Sequence, residues 1–262
     1  MPGSLTIVGT GITLISHITA EAQAAIARAD KTFFLVTHPL GEQWLRQLNP
    51  NAESLARFYT PQRERLDVYR DITDHVFGAV QAGHTVCAAF YGHPAVFVMP
   101  TQDLVRRAQA AGYPVGVLPG ISAEDCLFAD LRLDPGALGC QSYEATDFLA
   151  RPRRFDAATP LILWQVGVIG YFQVVDATLD AAKGLALLEV FLRRWYPMEH
   201  EVIIYEAAML PIGEPIITKV ALHRLRNAPV TAFSTLYVPP IVPPPVDAHM
   251  LEQLGLSSID SL

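Results

Sequence analysis

The chain is short of cysteine, of positive charge and of long apolar runs. Its 3 cysteines, Cys87, Cys126 and Cys140, form no CxxC pair and have no metal-ligand spacing, which argues against a disulfide framework or a zinc centre. They read as buried, reduced thiols. Its 19 Lys and Arg against 26 Asp and Glu leave a net charge of -7, the opposite of the basic face that nucleic acid requires. The N-terminus "MPGSLTIVGTGITLI" has no basic leader region and is interrupted by Gly9 and Gly11. The greasiest stretch, "LILWQVGVIGYFQVV", contains Gln165, Gly167, Gly170 and Gln173, and it is too short to span a bilayer comfortably. The expectation is a cytoplasmic protein with neither a membrane nor a nucleic-acid partner.

What the chain has is apolar material, 51% of 262 residues, enough for a large core. Through the first half, "SLTIVG", "KTFFLV", "TVCAAFY" and "PVGVL" read as buried parallel strands. Between them, "TAEAQAAIARAD" reads as a helix capped by Thr19. In "RERLDVYRDITDHVFGAVQAG", Leu66, Tyr69, Ile72, Val76 and Val80 fall on one helical stripe. This βαβ pattern predicts a doubly wound α/β sheet. After "LPGISAEDCLFADL" longer strands are expected at "CQSYEA", "TPLILWQV", "HEVIIYEA" and "TAFSTLYV", with a helix at "AKGLALLEVFLRRWYP". The division expected is residues 1–119, residues 120–240 and a Pro-rich tail with a short helix, 241–262.

Three motifs are weak. Gly9-Thr10-Gly11 lacks the third glycine of a dinucleotide fingerprint. His200-Glu201 has no second His at helical spacing, and "ARPRRF" reads as a solvated loop. Two others carry more. "AAFYGHPAVFV" is a core strand that breaks off at Tyr91-Gly92-His93-Pro94, and the carboxyl end of such a strand is where open α/β sheets bind ligands. In "RFYTPQRERLDVYRD", Tyr59 stands where a strand is expected to end, Arg65 opens the next helix and Tyr69 follows at i+4 on the same face. A guanidinium near two phenols can lower a Tyr pKa and stabilise a developing oxyanion.

Taken together, "GSLTIVGTGI", "YGHPAVF", "LPGISAEDCLFADL" and "STLYVPP" resemble, in order and spacing, the tetrapyrrole-methylase-like class of S-adenosylmethionine-dependent methyltransferases. Within it the chain most resembles the borosin peptide backbone α-N-methyltransferases, over about Gly3 to Pro240. Where tetrapyrrole methylases carry Gly-Asp-Pro, this chain has His93 in the middle, as borosins do. Ala56 stands where the family has a further Tyr.

The resemblance implies a two-domain tetrapyrrole methylase-like (class III methyltransferase) fold with S-adenosyl-L-methionine in the interdomain cleft and S-adenosyl-L-homocysteine as product. It implies His93, Val96, Phe97, Ser122, Ala123, Gln165, Tyr205, Ala208, Ser234 and Thr235 as cofactor-binding, Tyr59, Arg65 and Tyr69 as catalytic, and Tyr91 as substrate-binding. Gly92 is expected to allow close backbone approach and Pro94 to start the next helix.

It further implies a homodimer. In the fungal relatives a clasp and a substrate core follow the catalytic domain, whereas here only Ile241–Leu262 follow the last motif. The expected substrate is therefore a separate ribosomal precursor peptide, methylated in trans. Two alternatives stand beside this reading: methylation of a small tetrapyrrole-type acceptor, against which His93 and the Tyr/Arg cluster speak, and a non-catalytic peptide-binding module.

Overall fold

The apolar runs of the first half pair as one parallel sheet. In the computed structural model, which describes residues 3–151, 153–174 and 180–258, β1 (Ser4–Gly9), β2 (Lys31–Leu35), β3 (Ala52–Ser54), β4 (Thr85–Phe90) and β5 (Val115–Leu118) lie in the order β3-β2-β4-β1-β5. Pairing of β1 with β4 runs in register from Ser4 opposite Thr85 to Gly9 opposite Phe90. Alternation along each strand sends Leu5, Ile7, Phe33 and Ala88 to one face and Val8, Phe34, Cys87 and Ala89 to the other.

Helices α3 (Arg65–Gln81) and α4 (Met99–Ala110) cover the first face. Helices α1 (Ala20–Arg28) and α2 (Pro39–Leu48) cover the second. With both faces buried, the strands can be apolar throughout. The chain leaves β1 toward β2 on one side and reaches β5 on the other, so the carboxyl ends of β1, β4 and β5 form the topological switch point.

The chain divides into two compact units. The first comprises Met1–Cys126 with Tyr171–Ala177 and Ala207–Glu214; the second comprises Leu127–Gly170 with Thr178–Glu206 and Pro215–Leu262. The division therefore falls within α5 (Ala123–Leu131), some residues after Pro119-Gly120, and two later segments return to the first unit.

After α6 (Pro135–Leu138), the second unit contains β6 (Gln141–Glu144), α7 (Ala145–Ala150), β7 (Leu161–Trp164), α8 (Ala182–Leu192), β8 (Glu201–Glu206), β9 (Ile216–Ala221) and β10 (Thr235–Val238). Its sheet order is β6-β7-β10-β8-β9. Only β6 and β7 pair in parallel; the other neighbours are antiparallel. One core, with Phe148, Leu163, Leu188, Ile204 and Leu236 at its heart, packs this unit. Helix α9 (Ala248–Leu254) lies near the end of the described chain. Among the described residues no helix is long and apolar enough to cross a membrane.

Several sequence expectations change. Of the expected stripe on α3, Ile72, Val76 and Val80 are buried and Tyr69 packs beside them, but Leu66 is 60% exposed, and Val68, Thr73 and Phe77 complete the buried face. Pro94 starts no helix: the chain turns through 91–98, and α4 begins at Met99 with Pro100 in its first turn. Tyr59 follows a 3-10 turn, Ala56–Phe58, rather than a strand. Strand β5 lies at the sheet edge, with Val117 exposed. Strands β6, β7 and β10, expected to be longer, are shorter than β1, β2 and β4 of the first sheet. Of the cysteines, Cys87 is buried, while Cys126 and Cys140 are only half-buried.

Candidate active site

At the carboxyl end of β4 the backbone folds sharply onto that of β1. Gly92, at φ +72°, exchanges two hydrogen bonds with Gly11: its N–H donates to the Gly11 carbonyl at 3.0 Å and its own carbonyl accepts from the Gly11 N–H at 3.2 Å. A Cβ on Gly9 would lie 2.4 Å from the Gly92 oxygen and 3.0 Å from Gly120 Cα. Three chain segments thus touch backbone to backbone, and only glycine allows it.

His93 holds the turn that follows. Its Nδ1 accepts the Ala95 N–H at 3.1 Å, and its carbonyl accepts the Val96 N–H at 3.2 Å. An Asp in this position closes such a turn through a carboxylate oxygen; the imidazole Nδ1 does the same here. Pro94 is buried against Gly9, whereas Val96 and Phe97 are 40% and 50% exposed, Phe97 in the left-handed region at φ +55°. Tyr91 is anchored through its N–H to the Leu35 carbonyl at 3.0 Å.

Three further expected cofactor positions lie in the same unit and serve its local structure. Ser122 makes a reciprocal cap at the start of α5: its N–H and hydroxyl donate to Asp125 Oδ2 at 2.7 Å each, and Asp125 N–H returns to Ser122 Oγ at 3.2 Å. Ala123, half-buried, is the first residue of that helix. The Ala208 carbonyl accepts the Thr13 hydroxyl at 2.9 Å, tying the returning segment to the loop after β1.

The remaining four converge within the second unit. Gln165 ends β7 in the left-handed region, φ +61°. The Ser234 carbonyl takes the Val166 N–H at 3.1 Å, and its hydroxyl donates to Glu206. Thr235 pairs across the sheet with Tyr205, whose hydroxyl donates to Asp130 at 2.7 Å.

The Tyr/Arg cluster stands at the start of α3. Arg65 is its first residue, Tyr69 comes one turn later, and Tyr59 and Tyr69 both pack on the core beneath. The Tyr59 phenol is pushed well above the usual tyrosine value, first by burial and then by Tyr69, with Arg65 acting in the opposite direction. The guanidinium thus acts in the direction expected of it, but desolvation outweighs it. Tyr59 stays protonated at neutral pH, a hydrogen-bond donor. Tyr69 also lines an open groove of about 690 Å³ between α3 and α4, together with Leu66, Thr73, Met99 and Arg106.

Comparison with known proteins completes the picture. Residues 4–211 match the family model for Tetrapyrrole (Corrin/Porphyrin) Methylases. The chain belongs to that family. Among curated relatives, the methyltransferase and ribosomally synthesized cyclic peptide gymnopeptides precursor of Gymnopus fusipes is 42% identical over 91% of this chain and 57% of its own length. The corresponding omphalotin A precursor of Omphalotus olearius is 39% identical over 91% of this chain and 58% of its own. A type I borosin cyclic peptide precursor of Mycena rosella is 38% identical over 97% and 64%. This tetrapyrrole methylase chain thus spans about three-fifths of the length of these relatives. Uroporphyrin-III-C-methyltransferase from Thermus thermophilus matches the whole chain with a TM-score of 0.65 at 19% identity, a likeness of fold.

Proposed function

We propose that this tetrapyrrole methylase family member is a methyltransferase that uses S-adenosyl-L-methionine to methylate backbone amides of a ribosomal peptide supplied as a separate chain. The observation that carries the reading is the gathering of Arg65, Tyr69 and the core-packed Tyr59 at the start of α3, in a chain whose curated relatives are named as methyltransferases joined to cyclic peptide precursors.

The residues suit the donor. The close glycine apposition of Gly9, Gly92 and Gly120 leaves no Cβ at the strand ends, and exposed Val96 and Phe97 next to it offer apolar surface to an adenine. His93, Ser122, Ala123 and Ala208 shape that end of the first unit. When bound, the donor supplies an electrophilic methyl group.

An amide nitrogen is a poor nucleophile because its lone pair is delocalised into the carbonyl. Methylation therefore requires charge on the amide oxygen to be stabilised and the N–H proton to be removed. Tyr59, neutral, donates a hydrogen bond to that oxygen, and Arg65 adds its positive charge. Tyr69, which borders the open groove, is assigned the N–H proton and its passage to solvent. Tyr91 orients the peptide.

The test is to incubate purified protein and donor with a candidate precursor peptide, following both masses. Backbone methyl groups on the peptide support the reading. Methyl groups on the enzyme itself would replace a separate substrate by self-modification, and turnover of a uroporphyrinogen-type acceptor in place of the peptide would overturn the substrate assignment. Self-association, also part of the proposal, is read by light scattering of the same sample; a fully active monomer would remove it.

A further inference from the structure

Arg65 is placed by a segment distant from it in sequence. Helix α3 starts without a side-chain cap, since Glu64 makes none, and its first N–H groups need partners from elsewhere. The strap 172–174 supplies one, for Arg65, and holds the turn that leads into the helix. Running antiparallel to 62–65, it takes the Arg65 N–H on the Phe172 carbonyl at 2.9 Å and the Gln62 N–H on the Val174 carbonyl at 3.2 Å, and it returns the Val174 N–H to the Arg63 carbonyl at 2.8 Å.

Two side-chain bonds cross the same ladder. Gln173 Nε2 donates to Glu64 Oε1 at 3.0 Å, and Arg65 Nε donates to the Gln173 carbonyl at 3.2 Å. The guanidinium is thereby held by one edge, and among the described residues its Nη groups make no hydrogen bond. A long, rotamer-rich side chain is costly to order at the moment of reaction, and an ordered one delivers its charge where it is needed.

We propose that Gln173 is a positioning residue for Arg65: clamped by Glu64, it fixes the strap whose carbonyl aims the guanidinium. This rests on the amide-methylation reading above. Gln173→Ala and Glu64→Ala should each lower kcat about tenfold with KM for the donor unchanged. Gln173→Glu alone sets two carboxylates face to face and should do at least as much harm, while the exchange Gln173→Glu with Glu64→Gln rebuilds the bond with donor and acceptor reversed and should restore the rate.

A second measurement, independent of turnover, is the nuclear magnetic resonance signal of the Arg65 Nε–H. It should be protected from exchange in the wild type, exposed in Gln173→Ala and protected again in the exchanged pair. Wild-type kcat in both single variants, loss of melting temperature in step with kcat without rescue by the exchanged pair, or a freely exchanging wild-type Nε–H would each overturn positioning. If the wild type methylates no peptide, the reaction assignment falls, and the resonance alone decides whether the strap holds Arg65.

Discussion

At the ends of β1, β4 and β5 the first unit is shaped by backbone, whereas at the start of α3 it is shaped by side chains. A Cβ on Gly9 or Gly120 would run into backbone, and Gly92 stands at φ +72°, so what matters there is the absence of a side chain. Around Tyr59, burial and Tyr69 pull against Arg65, so what matters there is the sum of opposing influences. The first region should fail under any added atom, through stability. The second should fail under removal of a group, through rate.

The largest effect follows from the backbone region. Gly9→Ala places its Cβ 2.4 Å from a backbone oxygen that has no freedom to move away, and it should cost about 3 kcal/mol or more, with donor binding lost. Gly116→Ala, on β5 with nothing within 4 Å of the added atom, is the control and should leave binding intact. Equal denaturant midpoints for the two variants would break the contrast.

The side-chain region should respond the other way. Arg65→Ala is expected to reduce peptide methylation by about 10²- to 10³-fold, as loss of a preorganised charge does, while donor affinity by calorimetry stays close to wild type. A parallel loss of donor affinity would move Arg65 into donor binding.

A smaller effect tests the helix beneath the cluster. Val68→Ala should cost about 2 kcal/mol because the side chain is fully buried. Leu66→Ala, on the exposed face, should change stability by less than about 0.5 kcal/mol. Reversed magnitudes would restore the stripe that periodicity alone suggests.

That stripe shows where the sequence is legible and where it is not. Strands β1 and β4 stand out because a sheet covered on both faces demands continuous apolar runs, and Thr19 is legible as a cap because its hydroxyl takes the Ala22 N–H. Leu66 misleads because the first turn of a helix shows too few residues to fix its phase, and nothing covers it. The strap at 172–174 leaves no pattern, since its ladder is made by backbone groups that every residue possesses and its two side-chain bonds join residues 108 and 109 apart in sequence. Of the Tyr/Arg cluster the members are readable from spacing, but the direction of the Tyr59 shift depends on burial, which spacing does not report. Strands β3 and β9 go unread for a related reason: one is three residues long and the other carries exposed Ile216 and Ile217.

The smallest effect sharpens the comparison by its sign. Burial raises the pKa of Tyr59 in the first unit, opposed by Arg65, and pushes Tyr196 in the second up to about 12, with Asp156 adding to the rise. A tyrosine whose folded pKa exceeds its unfolded value of 10.0 favours the fold fully below that value. The contribution is lost as pH rises through the folded pKa, because the unfolded chain ionises first. Stability should therefore fall on going from about pH 8 to about pH 11, and Tyr59→Phe and Tyr196→Phe should each make the fall shallower by no more than one proton's worth. Tyr59 in the fold is already protonated throughout this range, so taking away Arg65, the influence that lowers its pKa, should leave the benefit of Tyr59→Phe unchanged, as it leaves that of Tyr196→Phe. Urea midpoints across that range measure both. An inflection in the methylation rate below pH 10 that vanishes in Tyr59→Phe would show instead that Tyr59 titrates within the working range, and would recast it from hydrogen-bond donor to base.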